Sequence, residues 1–156
     1  MRGGAAGRLS AGGAVLRVID LRRAGPQDVD ALIRIRGAVR ENRLRDPASV
    51  TRADYDWFVA ENRIWLGEID GRVAGFAAGD PRDGTIWALF VDPAHEGRGL
   101  GAKLLEKACE DLKADGLSKI TLSTDPGTKA AQLYRNLGWQ EEGLLENGEV
   151  RFGLIL

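Results

Sequence analysis

The sequence predicts an α/β domain on a mixed sheet, with antiparallel front strands and a central parallel pair, in the order β-α-α-β-β-β-α-β-α-β-β. Three observations lead there. The pairs Asp70-Gly71, Asp83-Gly84 and Asn147-Gly148 punctuate short apolar runs, which is the mark of hairpin strands. Between the second and third pairs the apolar spacing changes from strand-like to helix-like and back, which makes a β-α-β crossover. With 156 residues, 44% hydrophobic and 29% charged, the chain has enough apolar material for one core, and no repeat or linker divides it.

The elements follow in order. "VLRVIDLRRA" is β-branched enough for a first strand, and Pro26 and Asp28 then open a helix with Val29, Leu32, Ile33 and Arg36 on one face. "TRAD" (Thr51 to Asp54) has the form of a capping box ahead of Tyr55, Phe58 and Val59. "RIWLGEI" and "RVAGFAA" flank Asp70-Gly71, and "TIWALFV" follows Asp83-Gly84. "LGAKLLEKACEDLKADG" is helical through Leu100, Leu104, Leu105, Ala108 and Leu112 and stops at Gly116. "KITLST" is a short strand, and "TKAAQLYRNLG" is a helix with Ala130, Leu133, Tyr134 and Leu137 on one face. "WQEEGLLE" and "EVRFGLIL" make the last hairpin. The Gly- and Ala-rich opening lacks the apolar stretch of a signal peptide, so residues 1–14 are expected to be a disordered tail and residues 15–156 the domain.

Composition narrows the function classes. Lysines and arginines (22) nearly cancel aspartates and glutamates (23), a net charge of −1 that argues against nucleic-acid binding. A single cysteine forms no internal disulfide, which points to a cytoplasmic setting. No apolar run approaches a membrane span, so no membrane partner is expected.

The most informative stretch is "VDPAHEGRGLGA", with Gly97, Gly99 and Gly101 at the mouth of a helix. A helix N-terminus offers unpaired N–H groups and partial positive charge, and residues without side chains let a phosphate approach them. Gly97-x-Gly99-x-x-Ala102 formally fits a dinucleotide fingerprint, but that motif follows its strand at once and opens its domain. Here Asp92 to Glu96 intervene and three hairpin-type strands come first. A Walker loop is excluded by the lack of Gly-Lys-Ser/Thr. A Gly-rich turn with no ligand is the remaining alternative.

The pattern Glu96-Gly97-Arg98-Gly99-Leu100-Gly101 resembles the R/Q-x-x-G-x-G/A motif of the GNAT superfamily, the acyl-CoA-dependent N-acyltransferases. "GTKAAQLYRNLGW" is similar to that family's N-x-x-A-x-x-L-Y-x-x-x-G-F, and the resemblance covers roughly Val15 to Leu156. It implies a GNAT-type mixed sheet whose central parallel pair is splayed. It also implies acetyl-CoA as acyl donor, held at the pyrophosphate by the amides of Glu96, Gly97, Arg98, Gly99, Leu100, Gly101 and Ala102. The pantetheine arm would lie along Leu89, Phe90 and Val91, with Ala130 of the second block beside the cofactor; no metal is implied. Arg98 is either a cation beside the phosphates or a solvated arginine. Two positions depart from the family. Glu96 replaces its Arg or Gln and is expected to point away and cap the helix, and Gly127 replaces its Asn and forgoes one hydrogen bond.

Acyl transfer to an amine needs a proton removed, since an amine of pKa about 10.4 is only about 0.04% neutral at pH 7. Tyr134 stands where the resemblance puts the general acid. A tyrosine of pKa about 10 protonating a thiolate of about 8.5 runs uphill by roughly 2 kcal/mol, so donating a hydrogen bond to the thiolate is the easier role. For the base, "TIWALFV" carries no carboxylate and Thr85 is the nearest polar residue. Glu41 is one candidate, and a water held by Ser123 or Thr124 is another. His95 is read as a surface residue, Cys109 as a packing residue, and Trp65 and Trp87 as core rather than pocket. Arg36, Arg40 and Arg43, with Arg34 and Arg45 nearby, form either a solvated face or a recognition surface for an acidic acceptor. The expected activity is direct acetyl transfer to a primary amine, with a homodimer as one possible state. The rival is a CoA-binding sensor or a silent module of the same fold.

Overall fold

The computed structural model describes residues 18–39 and 50–156. The expected tail at residues 1–14, its boundary with the domain, and the charged connection holding Arg40, Glu41, Arg43 and Arg45 lie outside them. Within the described residues the elements are β1 (Ile19–Arg23), α1 (Val29–Ala38), α2 (Arg52–Ala60), β2 (Ile64–Ile69), β3 (Arg72–Asp80), β4 (Thr85–Val91), α3 (Leu100–Ala114), β5 (Lys119–Thr124), α4 (Lys129–Asn136), β6 (Gln140–Leu144) and β7 (Val150–Ile155). That is the predicted order. The strands form one sheet, β1-β2-β3-β4-β5-β7-β6, in which only β4 and β5 run parallel.

Local chemistry sets the joints. Asp70 (φ 51°) and Gly71 (φ 82°) turn the chain in two residues, so Ile69 faces Arg72 across the β2–β3 hairpin. Thr51 and Asp54 form the expected capping box at the start of α2. A single 3-10 turn, Pro26–Asp28, precedes α1. The buried Asp28 carboxylate accepts both Nη groups of Arg22 at 2.9 Å and the Gly25 N–H at 2.8 Å, tying β1 to that turn. The Arg22 hydrogen bonds hold the Asp28 carboxyl below the usual carboxylate range, against the opposing effect of burial.

The sheet is covered unequally. On one face α1 and α2 bury Leu32, Ile35, Tyr55 and Phe58 against Leu66, Phe76 and Phe90. On the other, α3 sets Leu100, Leu104 and Ala108 on Ala74 and Ala77. This approach is close: a Cβ on Gly67 would sit 2.4 Å from Leu100 Cδ1, and one on Gly79 2.6 Å from Leu112 Cδ1. α4 lies on the same face as α3, burying Ala131 and Tyr134 with Leu105, Ile120, Leu122 and Phe152.

Two predicted helix faces differ from those found. α1 buries Val29, Leu32 and Ile35, while Ile33 is 39% exposed, because the turn anchored at Asp28 fixes where the helix starts around its axis. Leu137 is 44% exposed because it lies past the last residue of α4, where the chain leaves the core.

Candidate active site

The site begins with a fault in the sheet. Ala78 pairs with Ala88, but Gly79 pairs with Ile86, so Trp87 is an extra residue on β4. A bulge of this kind bends its strand. β4 and β5 are in register at one position, Thr85 with Thr121, where the Thr121 N–H reaches the Gly84 carbonyl at 3.0 Å. Beyond the bulge they part. Leu89, Phe90 and Val91 then pair with Ala77, Phe76 and Gly75 of β3 on one edge and with no strand on the other. Peptide groups on such an edge call for a hydrogen-bonding partner. The expected splay is present, and Leu89 to Val91 line it.

The loop after β4 delivers α3 to the same opening. The Asp92 side chain accepts the Ala94 N–H at 3.0 Å and its carbonyl the His95 N–H at 2.8 Å, which makes a rigid 3-10 turn over Pro93–His95. Gly97 (φ 77°) and Gly99 (φ 78°) then take the left-handed conformation, with nothing within 4 Å of where a Cβ would stand. Gly99 is the N-cap of α3 and supplies no side-chain acceptor. Consequently the N–H groups of Leu100, Gly101 and Ala102 find no acceptor among the described residues, and the first α3 bond into the cap is Lys103 N–H to the Gly99 carbonyl at 3.3 Å. A Cβ on Gly101 would touch Leu133 and Val91 at 3.6 Å, so this helix mouth sits between the end of β4 and α4. Open amides, a bare helix terminus and small residues together make an anion cradle.

Side chains at the cradle differ partly from expectation. Glu96 does not cap α3; its carboxylate accepts Lys129 Nζ at 2.9 Å, spanning from the loop to the first turn of α4. Lys129 thereby offsets the negative charge that Glu96 brings to the loop. Arg98 is exposed and makes no hydrogen bond or ion pair among the described residues, leaving its charge available beside the open amides.

Tyr134 is buried on α4, its ring 5.7 Å from that of Trp139 and 5.6 Å from that of Phe152. Leu89 and Ala130 pack against the same cluster, so three residues singled out from the sequence meet here. The Tyr134 hydroxyl makes no hydrogen bond among the described residues, and burial raises its pKa, with a smaller contribution from Cys109. It is therefore a neutral donor with its proton uncommitted. Cys109 packs against this cluster too, its thiol pushed up to about 11 by burial and by Glu106 and Glu110, which suits the packing role.

Other candidates are not assembled here. Glu41 lies outside the described residues. Thr85 bonds Asp83 Oδ1 at 2.7 Å at the closed end of the divergence. Trp65 and Trp87 lie on opposite faces. Trp65 donates to Asp111 at 3.1 Å beside α3, while Trp87 stacks on Phe58 at 4.0 Å between centroids. His95 is half-buried rather than a free surface residue: its Nδ1 is shut from solvent with no hydrogen-bond partner among the described residues, and the residue lines a cavity of about 430 Å³ with Arg34, Arg72 and Asp92. Thr124 is buried at the end of β5. Ser123 Oγ donates to Glu149 Oε1 at 3.1 Å. Sequence reasoning missed Glu149, which lies on the turn into β7. The signal was the Asn147-Gly148 hairpin, which returns the chain so that Val150 faces Thr124 and sets a carboxylate beside the end of β5.

The comparisons agree with this geometry. A family model described as "Acetyltransferase (GNAT) family" matches residues 30–139. An uncharacterized N-acetyltransferase of Archaeoglobus fulgidus is 34% identical over 108 residues, covering 59% of this chain and 72% of that protein. Seven further relatives are matched over only 22–40% of their own lengths. Among solved structures, Ard1 from Thermoplasma volcanium superposes with a TM-score of 0.75 at 17% identity, covering 88% of this chain and 97% of that one. The yncA protein from Salmonella typhimurium, solved with its cofactor acetyl-CoA, gives a TM-score of 0.73 at 21% identity over 88% of this chain and 94% of that one. With a sheet that splays beside an uncapped helix and a family model spanning most of the described residues, the chain belongs to the GNAT family of acetyltransferases.

Proposed function

We propose that this protein transfers the acetyl group of acetyl-CoA directly to a primary amine. The observation that carries the reading is the free β4 edge opening beside the uncapped N-terminus of α3. One end of that opening suits a pyrophosphate and the other suits an extended amide-bearing arm, at the spacing of one short loop. The solved yncA structure with acetyl-CoA supports the choice of donor.

In this reading the amides of Gly97 to Ala102 hold the pyrophosphate, Arg98 adds charge, and the arm lies along Leu89 to Val91. α3 and α4 occupy one face of the sheet, so the amine enters from the face of α1 and α2. Its nitrogen attacks the thioester carbonyl carbon, a C–N bond forms, and the C–S bond breaks with the electron pair leaving on sulfur. Tyr134 donates a hydrogen bond to that thiolate. Before the attack the ammonium form gives a proton to water polarised by Ser123 and Glu149, with Glu41 as the alternative acceptor, and the second proton leaves the nitrogen to solvent as the amide forms.

The test is release of free CoA thiol from acetyl-CoA across an amine panel, with the acetylated product identified by mass. Amine-dependent release supports the reading. Calorimetric CoA binding with no amine-dependent release would instead make the chain a silent CoA-binding module.

A further inference from the structure

Arg36, on α1, is a partly buried arginine with no ion pair among the described residues. Its guanidinium carbon lies 4.6 Å from the Phe90 ring centroid and 5.5 Å from that of Trp87. Nε and Nη1 are both shut off from solvent and have no hydrogen-bond partner among the described residues. Its counterparts are treated otherwise: Arg22 is paired with Asp28 and Glu68, Arg23 with Asp111, Arg63 with Asp115, and Arg82 with Asp80. A partly buried guanidinium with no anion beside it among the described residues is unfavourable, and aromatic faces offset only part of that cost. Such a group is a receptor awaiting its ligand.

Its place says which ligand. Phe90 and Trp87 flank Ala88 and Leu89 on β4, the strand whose free edge takes the thioester arm, and they lie on the face from which the amine enters. Anything bound to Arg36 is therefore attached to the acceptor rather than to CoA. Stacking holds the guanidinium plane and leaves Nη2, the nitrogen not shut off from solvent, to donate a charge-assisted hydrogen bond to an anion. Resting on the acetyltransferase reading above, we infer that Arg36 binds a carboxylate carried by the acceptor amine, so that the enzyme selects amino acids or acidic amines over neutral ones.

Two measurements test this. The first compares kcat/KM for matched amines, 4-aminobutyrate with 4-aminobutanamide and L-glutamate with L-glutamine, in the wild type, Arg36→Lys and Arg36→Met. The wild type should favour the carboxylate partner by roughly tenfold or more, the effect of one charge-assisted hydrogen bond. Arg36→Met should bring the ratio near one and Arg36→Lys should fall between, with the acetyl-CoA KM unchanged. The second is free of turnover. In ¹⁵N NMR of the CoA-bound protein, the Arg36 Nε–H signal, assigned by its loss in Arg36→Met, should shift saturably with sodium acetate. Acetamide should not move it, and inorganic phosphate should move it more weakly. Equal use of both partners in the wild type, a ratio unaffected by Arg36→Met, a flat acetate titration, or phosphate acting more strongly than acetate would each overturn the inference. A saturable acetate shift without turnover of any amine would sink the acetyltransferase reading and leave the anion site standing, whereas turnover indifferent to charge would do the reverse.

Discussion

Removing the Tyr134 hydroxyl separates a chemical role from a packing one. Tyr134→Phe keeps the ring contacts with Trp139 and Phe152, and the hydroxyl holds no hydrogen bond in the described residues. Folding stability should therefore stay within about 0.5 kcal/mol of wild type, as for a substitution that removes no contact. The kinetic effect follows from the raised pKa. Full proton transfer to a thiolate of pKa about 8.5 would already run uphill by roughly 2 kcal/mol from an ordinary tyrosine, and burial steepens that. Hydrogen-bond donation to the developing thiolate is the feasible contribution, worth about 1.5–3 kcal/mol to a charged partner, or about 10- to 150-fold in rate. That is less than the largest effects of a true general acid, about 10⁴-fold. The assay is single-turnover thiol release at saturating acetyl-CoA and amine, with thermal unfolding in parallel. An unchanged rate would refute the donor role, and a loss near 10⁴-fold would refute the hydrogen-bond limit and require full proton transfer. The rise of rate with pH should persist in the variant, because a tyrosine whose pKa is raised stays protonated throughout the range in which amines lose their protons.

Further outcomes follow from the same geometry. Gly99→Val forces a β-branched residue to φ 78° where a Cβ meets no atom within 4 Å, so it should cost only about 1–2 kcal/mol of stability while weakening CoA binding by tenfold or more in calorimetry. Gly101→Ala, within α3 and with its Cβ at an ordinary 3.6 Å from Leu133 and Val91, should hold or slightly raise the unfolding temperature, isolating any loss of CoA affinity to crowding of the ligand. Asp28→Asn should lose about 2 kcal/mol at pH 7 by denaturant unfolding. Because the Asp28 carboxyl is held below its unfolded value, its contribution is full above about pH 4 and disappears as pH falls through the lowered value, so the variant's stability should depend less on pH in that range. Cys109→Ala should retain the wild-type kcat, and Cys109 should resist iodoacetamide at pH 8 because its thiol is pushed up to about 11.

The fold was largely legible because its signals are local. Asp70-Gly71 specifies its own two-residue turn, Thr51 and Asp54 their own cap, and Leu100, Leu104, Leu105, Ala108 and Leu112 their own stripe, and each is found as expected. The faces of short helices were less so, since Ile33 and Leu137 are assigned by tertiary anchoring rather than by spacing. Of the site, the glycine loop and Tyr134 were readable as motifs. What depends on distant strands was not. The Trp87 bulge arises from β3–β4 register, and Glu149 reaches Ser123 only through the β5–β7 pairing. Arg36 looked like one member of a charged run, and only its position over Phe90 and Trp87 distinguishes it from a solvated face.

The central claim is that the free β4 edge and the α3 mouth together form the CoA site. Amide hydrogen exchange with and without CoA tests it without relying on turnover. Slowed exchange is expected at Gly97 to Ala102 and within Leu89 to Val91, with the α2 and β6 amides unchanged. Binding that leaves both segments unprotected, or that protects a different surface, would contradict the claim.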